Sequence, residues 1–200
     1  DIRDWIDAAE QLQTDHGPFD AIIGHSFGAL AALTIARSTV PTPAVVAIAG
    51  AASPDAFVAR FADDLRLDDA TTARLSERFR RRLGMDRSEV SARYDAARHP
   101  LPAGTALLVV HDRDDRRMPD HDSLRLHDAH GDRSRLVRTE GLGHTRVLSA
   151  DATLDAVVAL VAGAYPLTAS KDSEGDVGWI GGGFPGQSVD RRSARRTAPR

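Results

Sequence analysis

Apolar positions along the chain recur at helical spacing, then in short unbroken runs, then at helical spacing again. Ile2, Trp5, Ile6, Ala9 and Leu12 mark one face of a helix that Gly17-Pro18 ends. Residues 21–24 form a short apolar run that predicts a buried strand. Residues 28–37 follow as a helix that is apolar nearly all round, as a helix packed centrally against a sheet would be. Pro41 and Pro43 precede a second apolar run, residues 44–49.

Residues 53–98 have a different texture. Ser53-Pro54 has the form of a helix start. Phe57, Val58, Phe61 and Leu65 then make one stripe, and Leu75, Phe79 and Leu83 make a second that Gly84 ends. Val90, Tyr94 and Ala97 make a weaker third. Helices with no strand between them predict a cap inserted over a sheet. The alternation resumes with a third strand at 105–110, a helix at 119–129 and a fourth strand at 133–139. That last strand mixes Leu136 and Val137 with Arg133, Arg135 and Arg138, which suits a sheet edge. The final helix has Ser149 near its start and carries Leu154, Val157, Val158 and Val161 on one face.

From Pro166 onward six of the 16 glycines fall between Gly175 and Gly186, and five arginines occupy the last ten positions. No period holds this stretch together, and residues 166–200 are expected to form a disordered tail. No internal repeat is present. The pattern as a whole predicts an α/β domain over 1–165, with four mainly parallel strands flanked by helices and a helical cap at about 53–98.

Composition narrows the function classes. Two hundred residues with 42% hydrophobic and 28% charged positions can bury a single-domain core. The absence of cysteine removes thiol nucleophiles, thiolate metal sites and disulfide scaffolds. A net charge of −3 argues against a nucleic-acid partner, and no apolar run is long enough to span a bilayer. A cytoplasmic setting is expected. No leader is visible, although a chain that opens at Asp1 without a Met gives that absence little weight.

The sharpest chemical signal is Gly24-His25-Ser26-Phe27-Gly28, between the first strand and a helix of small residues. A Gly-x-Ser-x-Gly run in strand–turn–helix context thrusts the serine hydroxyl out above the sheet, at a helix N-terminus that favours developing negative charge. A serine nucleophile needs a base, and the base needs an orienting acid. His144 alone among the eight histidines lies after a sheet strand in a glycine-rich loop, Gly141-Leu142-Gly143-His144-Thr145. The loop after the third strand, His111 to Pro119, offers Asp112, Asp114 and Asp115 as acids, and composition does not choose among them.

Elbow, post-strand acid and late histidine, in that order, resemble the α/β-hydrolase fold family in its esterase, lipase and peptidase-like branch. Residues 111–119 are similar to the family's His-Gly-x-x-Asp-x-x-Val-Pro pattern, with Met118-Pro119 at Val-Pro and Asp112 where the family often has Gly. The resemblance covers residues 1–165 and implies Ser26 as nucleophile, His144 as base, Asp115 as acid and the Phe27 backbone N–H as an oxyanion donor. By the same alignment Asp112→Asn is expected to do little.

It further implies a partial α/β-hydrolase fold lacking the N-terminal strands, because the helix before the elbow opens the chain. The second oxyanion donor would then be missing too, and the first strand would present an open apolar edge that favours self-association. The expected partner is a small-molecule acyl substrate, with no cofactor and no metal. A carrier-linked acyl thioesterase and an inactive fragment or binding module are the alternatives.

Two weaker clusters remain. His121, His127 and His130 gather around one predicted helix, where a solvent-facing polar surface is the expected reading rather than a metal site. Arg78, Arg80, Arg81 and Arg82 are read as the charged outer face of a cap helix.

Overall fold

The computed structural model describes residues 2–163. Four parallel strands, β1 (Ile22–His25), β2 (Ala44–Ile48), β3 (Ala106–Asp112) and β4 (Ser134–Thr139), lie side by side in chain order. Each parallel neighbour needs a crossover. Helix α2 (Phe27–Ala36) joins β1 to β2, and α6 (His121–His130) joins β3 to β4. Between β2 and β3 the chain makes the three helices α3 (Pro54–Leu65), α4 (Asp69–Leu83) and α5 (Arg87–Tyr94), the insertion expected from the strand-free stretch. Helix α1 (Ile2–His16) precedes the sheet; the four-residue α7 (Gly143–Arg146), a 3-10 turn and α8 (Asp151–Val161) follow it.

Side chains alternate across the strands, so one run of residues feeds two cores. Val45, Ala47, Leu107 and Val109 pack beneath Ala29, Ala32, Leu33 and Ala36 of α2 and Leu126 of α6. Val46, Ile48, Leu108 and Val110 point the other way, against Val147 and Ala156. β2 and β3 are therefore buried at every position and read as continuous apolar runs. β4 is the edge strand predicted from its arginines: Arg135 and Arg138 are exposed, and Leu136, Val137 and Thr139 are half-buried.

Helix α8 turns only part of its apolar stripe to the sheet. Leu154, Val158 and Val161 are solvent-exposed, Val158 at 66%, and the face turned to the sheet carries Thr153, Ala156, Val157 and Leu160. This helix is apolar on two faces, and Ala156, Val157 and Leu160 are the residues that pack against β2 and β3. The tail expected at 166–200 lies outside the described residues. Among the described residues no helix is long and apolar enough to cross a membrane.

Of the histidines on α6, His121 faces solvent as expected, whereas His130 is buried and bound up in the fold. His130 donates from Nδ1 to the Leu126 carbonyl at 2.6 Å and accepts at Nε2 from the Leu101 N–H at 3.0 Å, which pins the segment before β3 to α6. Both ring nitrogens are thereby used, so His130 has none left for a metal. Among the described residues no group of ligating side chains could hold a metal ion.

Two outcomes follow from these features. Burial holds His130 below the ordinary histidine range, helped by the nearby Arg133 and Arg37. A proton on Nε2 would eject the Leu101 N–H. The folded form therefore takes up this proton at lower pH than the unfolded chain, whose histidine titrates near about 6.5. Its contribution to stability is complete above that value and is lost as pH falls through the folded pKa. Unfolding midpoints at about pH 7.5 and about pH 5.5 should show the loss, and His130→Gln should shrink it; an unchanged difference in the variant would contradict this.

The second outcome concerns β1, which pairs only with β2, so its other edge carries no strand among the described residues. Ile23 on it is 53% exposed. The purified chain is expected to self-associate through this edge, and Ile23→Lys to shift sedimentation toward monomer. A wild-type chain that sediments as a monomer at all concentrations would rule this out.

Candidate active site

The turn after β1 is built on a close approach of two backbones. A Cβ added to Gly24 would lie 2.1 Å from the Gly28 carbonyl oxygen and 2.7 Å from the Ala29 nitrogen. Only glycine permits that contact. Gly28 is different, since a Cβ there would meet a Trp5 ring carbon at an ordinary 3.6 Å. A third glycine, Gly50 after β2, lets the sheet close on the same helix: its added Cβ would fall 2.4 Å from that of Ala29.

Ser26, at the apex, has φ 57° and ψ −123°, a positive-φ backbone that a residue with a Cβ rarely adopts. Its N–H donates to the Ile48 carbonyl at 2.9 Å, and its own carbonyl receives the Ala29 N–H at 3.0 Å, so the surrounding bonds hold the strained turn in place. The Phe27 N–H stands at the first position of α2, where no intrahelical acceptor exists.

The structure brings Ser26, His144 and Asp115 together. His144 Nε2 lies 3.0 Å from Ser26 Oγ, and Nδ1 lies 2.7 Å from Asp115 Oδ2. With Nδ1–H donating to the carboxylate, Nε2 presents its lone pair to the serine O–H. Of the three aspartates in the loop after β3, Asp115 is the one whose carboxylate meets His144. Its side chain is fully buried, and its other oxygen, Oδ1, accepts the N–H groups of Arg117 at 2.8 Å and Met118 at 3.0 Å. His111 lies beneath this loop, donating from Nε2 to the Met118 carbonyl at 2.7 Å and accepting at Nδ1 from Ser123 Oγ at 2.6 Å. Burial lowers its pKa and keeps it neutral, as that pattern requires.

Two residues matter here more than sequence reading suggested. His25, the variable position of the elbow motif, donates from Nε2 to the His144 carbonyl at 2.8 Å and packs its ring 4.7 Å from the His144 ring. Asp112, expected to be dispensable, is fully buried and accepts four hydrogen bonds, two of them from the glycine loop that carries His144. The strand–loop spacing that made it a rejected acid candidate is also what sets it beneath that loop.

Ser26 and His144 open into a cavity of about 500 Å³ walled by Phe57, Arg60, Asp64, Arg117 and Met118. Phe57 brings the cap to the elbow. Its ring meets Phe27 edge-on at 5.3 Å, and Phe27 meets Trp5 of α1 at 6.0 Å. Arg60 spans from the cap to the acid loop, bonding Asp64 and the Arg116 carbonyl. A larger cleft, about 1270 Å³, is lined by other α3 residues with α4, α5 and α6, and it contains neither Ser26 nor His144.

No family model matches the sequence, and no curated protein does. Solved structures do. The esterase domain of a Rhodothermus marinus protein is similar at 22% identity with a TM-score of 0.57, over 82% of this chain and 67% of that one. The mouse alpha/beta hydrolase domain-containing protein 10 follows at 16% identity and TM-score 0.55, over 82% and 68%. A meta-cleavage product hydrolase from Pseudomonas fluorescens IP01 is similar at 18% identity and TM-score 0.52, over 82% and 72%.

The glycines of the elbow should separate on substitution. Gly24→Ala forces a methyl against fixed backbone and is expected to destabilise by about 3 kcal/mol or more. Gly28→Ala, in open helix, should be neutral or slightly stabilising, since alanine gains up to about 1 kcal/mol over glycine in helices. Urea unfolding of both variants measures this, and equal losses would mean that the close approach is misassigned.

Proposed function

We propose that this chain, which has the α/β-hydrolase fold, is a serine hydrolase that cleaves an ester or related acyl bond. The observation that carries the reading is the continuous hydrogen-bonded line from Asp115 through His144 to Ser26, ending at a strained elbow beside a free helix N-terminus. Ser26 Oγ attacks the acyl carbon while His144 Nε2 takes its proton. Asp115 fixes the imidazole with Nδ1–H toward the carboxylate and stabilises the imidazolium that forms. The oxyanion of the tetrahedral intermediate faces the Phe27 N–H, with the dipole of α2 behind it. His144 then returns the proton to the leaving group. Water, activated by the same histidine, releases the acyl group from Ser26.

The residues suit this division of work. Asp115 is buried and accepts two backbone N–H groups at Oδ1, which keeps Oδ2 aimed at His144. The cavity of about 500 Å³ matches a small acyl substrate rather than a long chain. The reaction as written uses only the chain's own side chains and water.

A fluorophosphonate probe is expected to label Ser26, and Ser26→Ala to abolish the label. Asp115→Asn should lower kcat on a short p-nitrophenyl ester by about 10³–10⁴-fold, the effect of a histidine held in the wrong tautomer. Label that persists in Ser26→Ala would remove the nucleophile assignment. Preference for a pantetheine thioester over the oxygen ester would move the reading to a carrier-linked thioesterase. Labelling without turnover of either would make the chain a binding module.

A further inference from the structure

Asp112 closes β3, three residues before the acid, and its carboxylate is saturated from two directions. Oδ1 accepts the N–H groups of Asp114 at 3.0 Å and Gly143 at 2.9 Å. Oδ2 accepts the Thr139 hydroxyl at 2.7 Å and the Leu142 N–H at 3.1 Å. Leu142 is right-handed helical (φ −93°) and Gly143 left-handed (φ 68°), the alternation that turns successive N–H groups into one concave anion seat. Here the anion belongs to the protein itself. The preceding N–H, of Gly141, is held by Asp114 Oδ2 at 2.8 Å. Three consecutive amides leading into His144 are thus fastened to the acid loop.

The side chain of His144 is attached to that clamped backbone. Its Cα follows Gly143 directly, so the position of the imidazole between Asp115 and Ser26 depends on where Leu142 and Gly143 are held. Burial opposes the charge on Asp112, but the four hydrogen bonds outweigh it and keep the carboxyl below its ordinary range. An ionised carboxylate accepts from all four donors; a neutral amide presents an NH₂ to two of them and repels them.

We propose that Asp112 is a positioning residue of the hydrolytic reaction: its carboxylate seats the Leu142-Gly143 backbone so that His144 bridges Asp115 and Ser26. The inference rests on the serine-hydrolase reading. It departs from the family pattern quoted for this loop, where the same position often holds a glycine that has no carboxylate to offer. It also distinguishes the two buried aspartates of the loop. Asp115 touches the imidazole; Asp112 acts only through the main chain that bears it.

The test measures kcat and KM on p-nitrophenyl acetate for wild type, Asp112→Asn, His144→Ala and the double variant. Asp112→Asn is expected to lower kcat by about 10–100-fold while KM stays within about twofold, because misplacement of a catalytic group by about 1 Å has an effect of that size. In the His144→Ala background the same substitution should make no further difference, since there is no imidazole left to position. Thr139→Val, which removes one donor to Oδ2, supplies a milder variant should Asp112→Asn fail to fold. It should lower kcat less, and again only when His144 is present. An unchanged kcat in Asp112→Asn overturns the proposal, and so does a loss that persists without His144, which would assign Asp112 to the fold alone. A wild type that cleaves no ester and takes no fluorophosphonate label fails differently: the hydrolase reading falls, and this inference with it.

Discussion

The approach of α2 to the end of β1 is the contact on which the rest of the site depends. Two backbones meet there with no room for a Cβ on Gly24, and the chain must reverse from strand to helix within that contact. The reversal forces Ser26 to a positive φ and lifts its hydroxyl clear of the sheet. The helix that follows can lie so near only because its inward residues are small: Ala29, Ala32 and Ala36 alternate with Leu33 against β2 and β3. The lack of a Cβ at Gly50 extends the same fit to the end of the second strand. A strained serine is thus held by tight packing on both sides, and the strain is absorbed by the burial of a helix that has almost no exposed face.

Much of this was legible from residue types alone. The strand–Gly-His-Ser-Phe-Gly–helix order located the elbow, and the arginines of β4 marked it as an edge. Among the aspartates at 112, 114 and 115 residue types made no choice, and Asp115, the carboxylate that contacts His144, was named only through the family resemblance. What stayed hidden was whatever depends on approach distances. The sequence offers two flanking glycines at the elbow, but only Gly24 is sterically required. It offers an apolar stripe on the last helix, yet Ala156, Val157 and Leu160 are the residues that pack against the sheet. Periodicity reports that a face is apolar, and a helix with two such faces gives no sign of which one packs.

Hydrogen-bond saturation was the other hidden feature. Composition makes the loop at 111–117 look like a solvated cluster of Asp and Arg. In the fold, His111, Asp112 and Asp115 face inward, while Arg113, Asp114, Arg116 and Arg117 face solvent. The inward carboxylates each accept main-chain N–H groups that would otherwise be left unpaired where the loop leaves the sheet. A buried acid in such a setting has a structural reason to be ionised whether or not it takes part in chemistry.

The order of the strands has a kinetic consequence. Ser26 and His144 stand 118 positions apart along the chain, and Asp115 and His144 stand 29 apart. Each parallel pair can form only after its crossover has closed, so the loop-closure entropy of three crossovers must be met before the last strand is seated. The line of hydrogen bonds through His144 is completed by the strand docked last in sequence order. Partly folded forms that have lost or not yet gained β4 would keep the elbow and most of the apolar core, and would lack the His144 contacts. Under the proposed mechanism, competence is confined to the fully assembled sheet, and a local opening of that edge strand is expected to separate His144 from Ser26 before the domain unfolds.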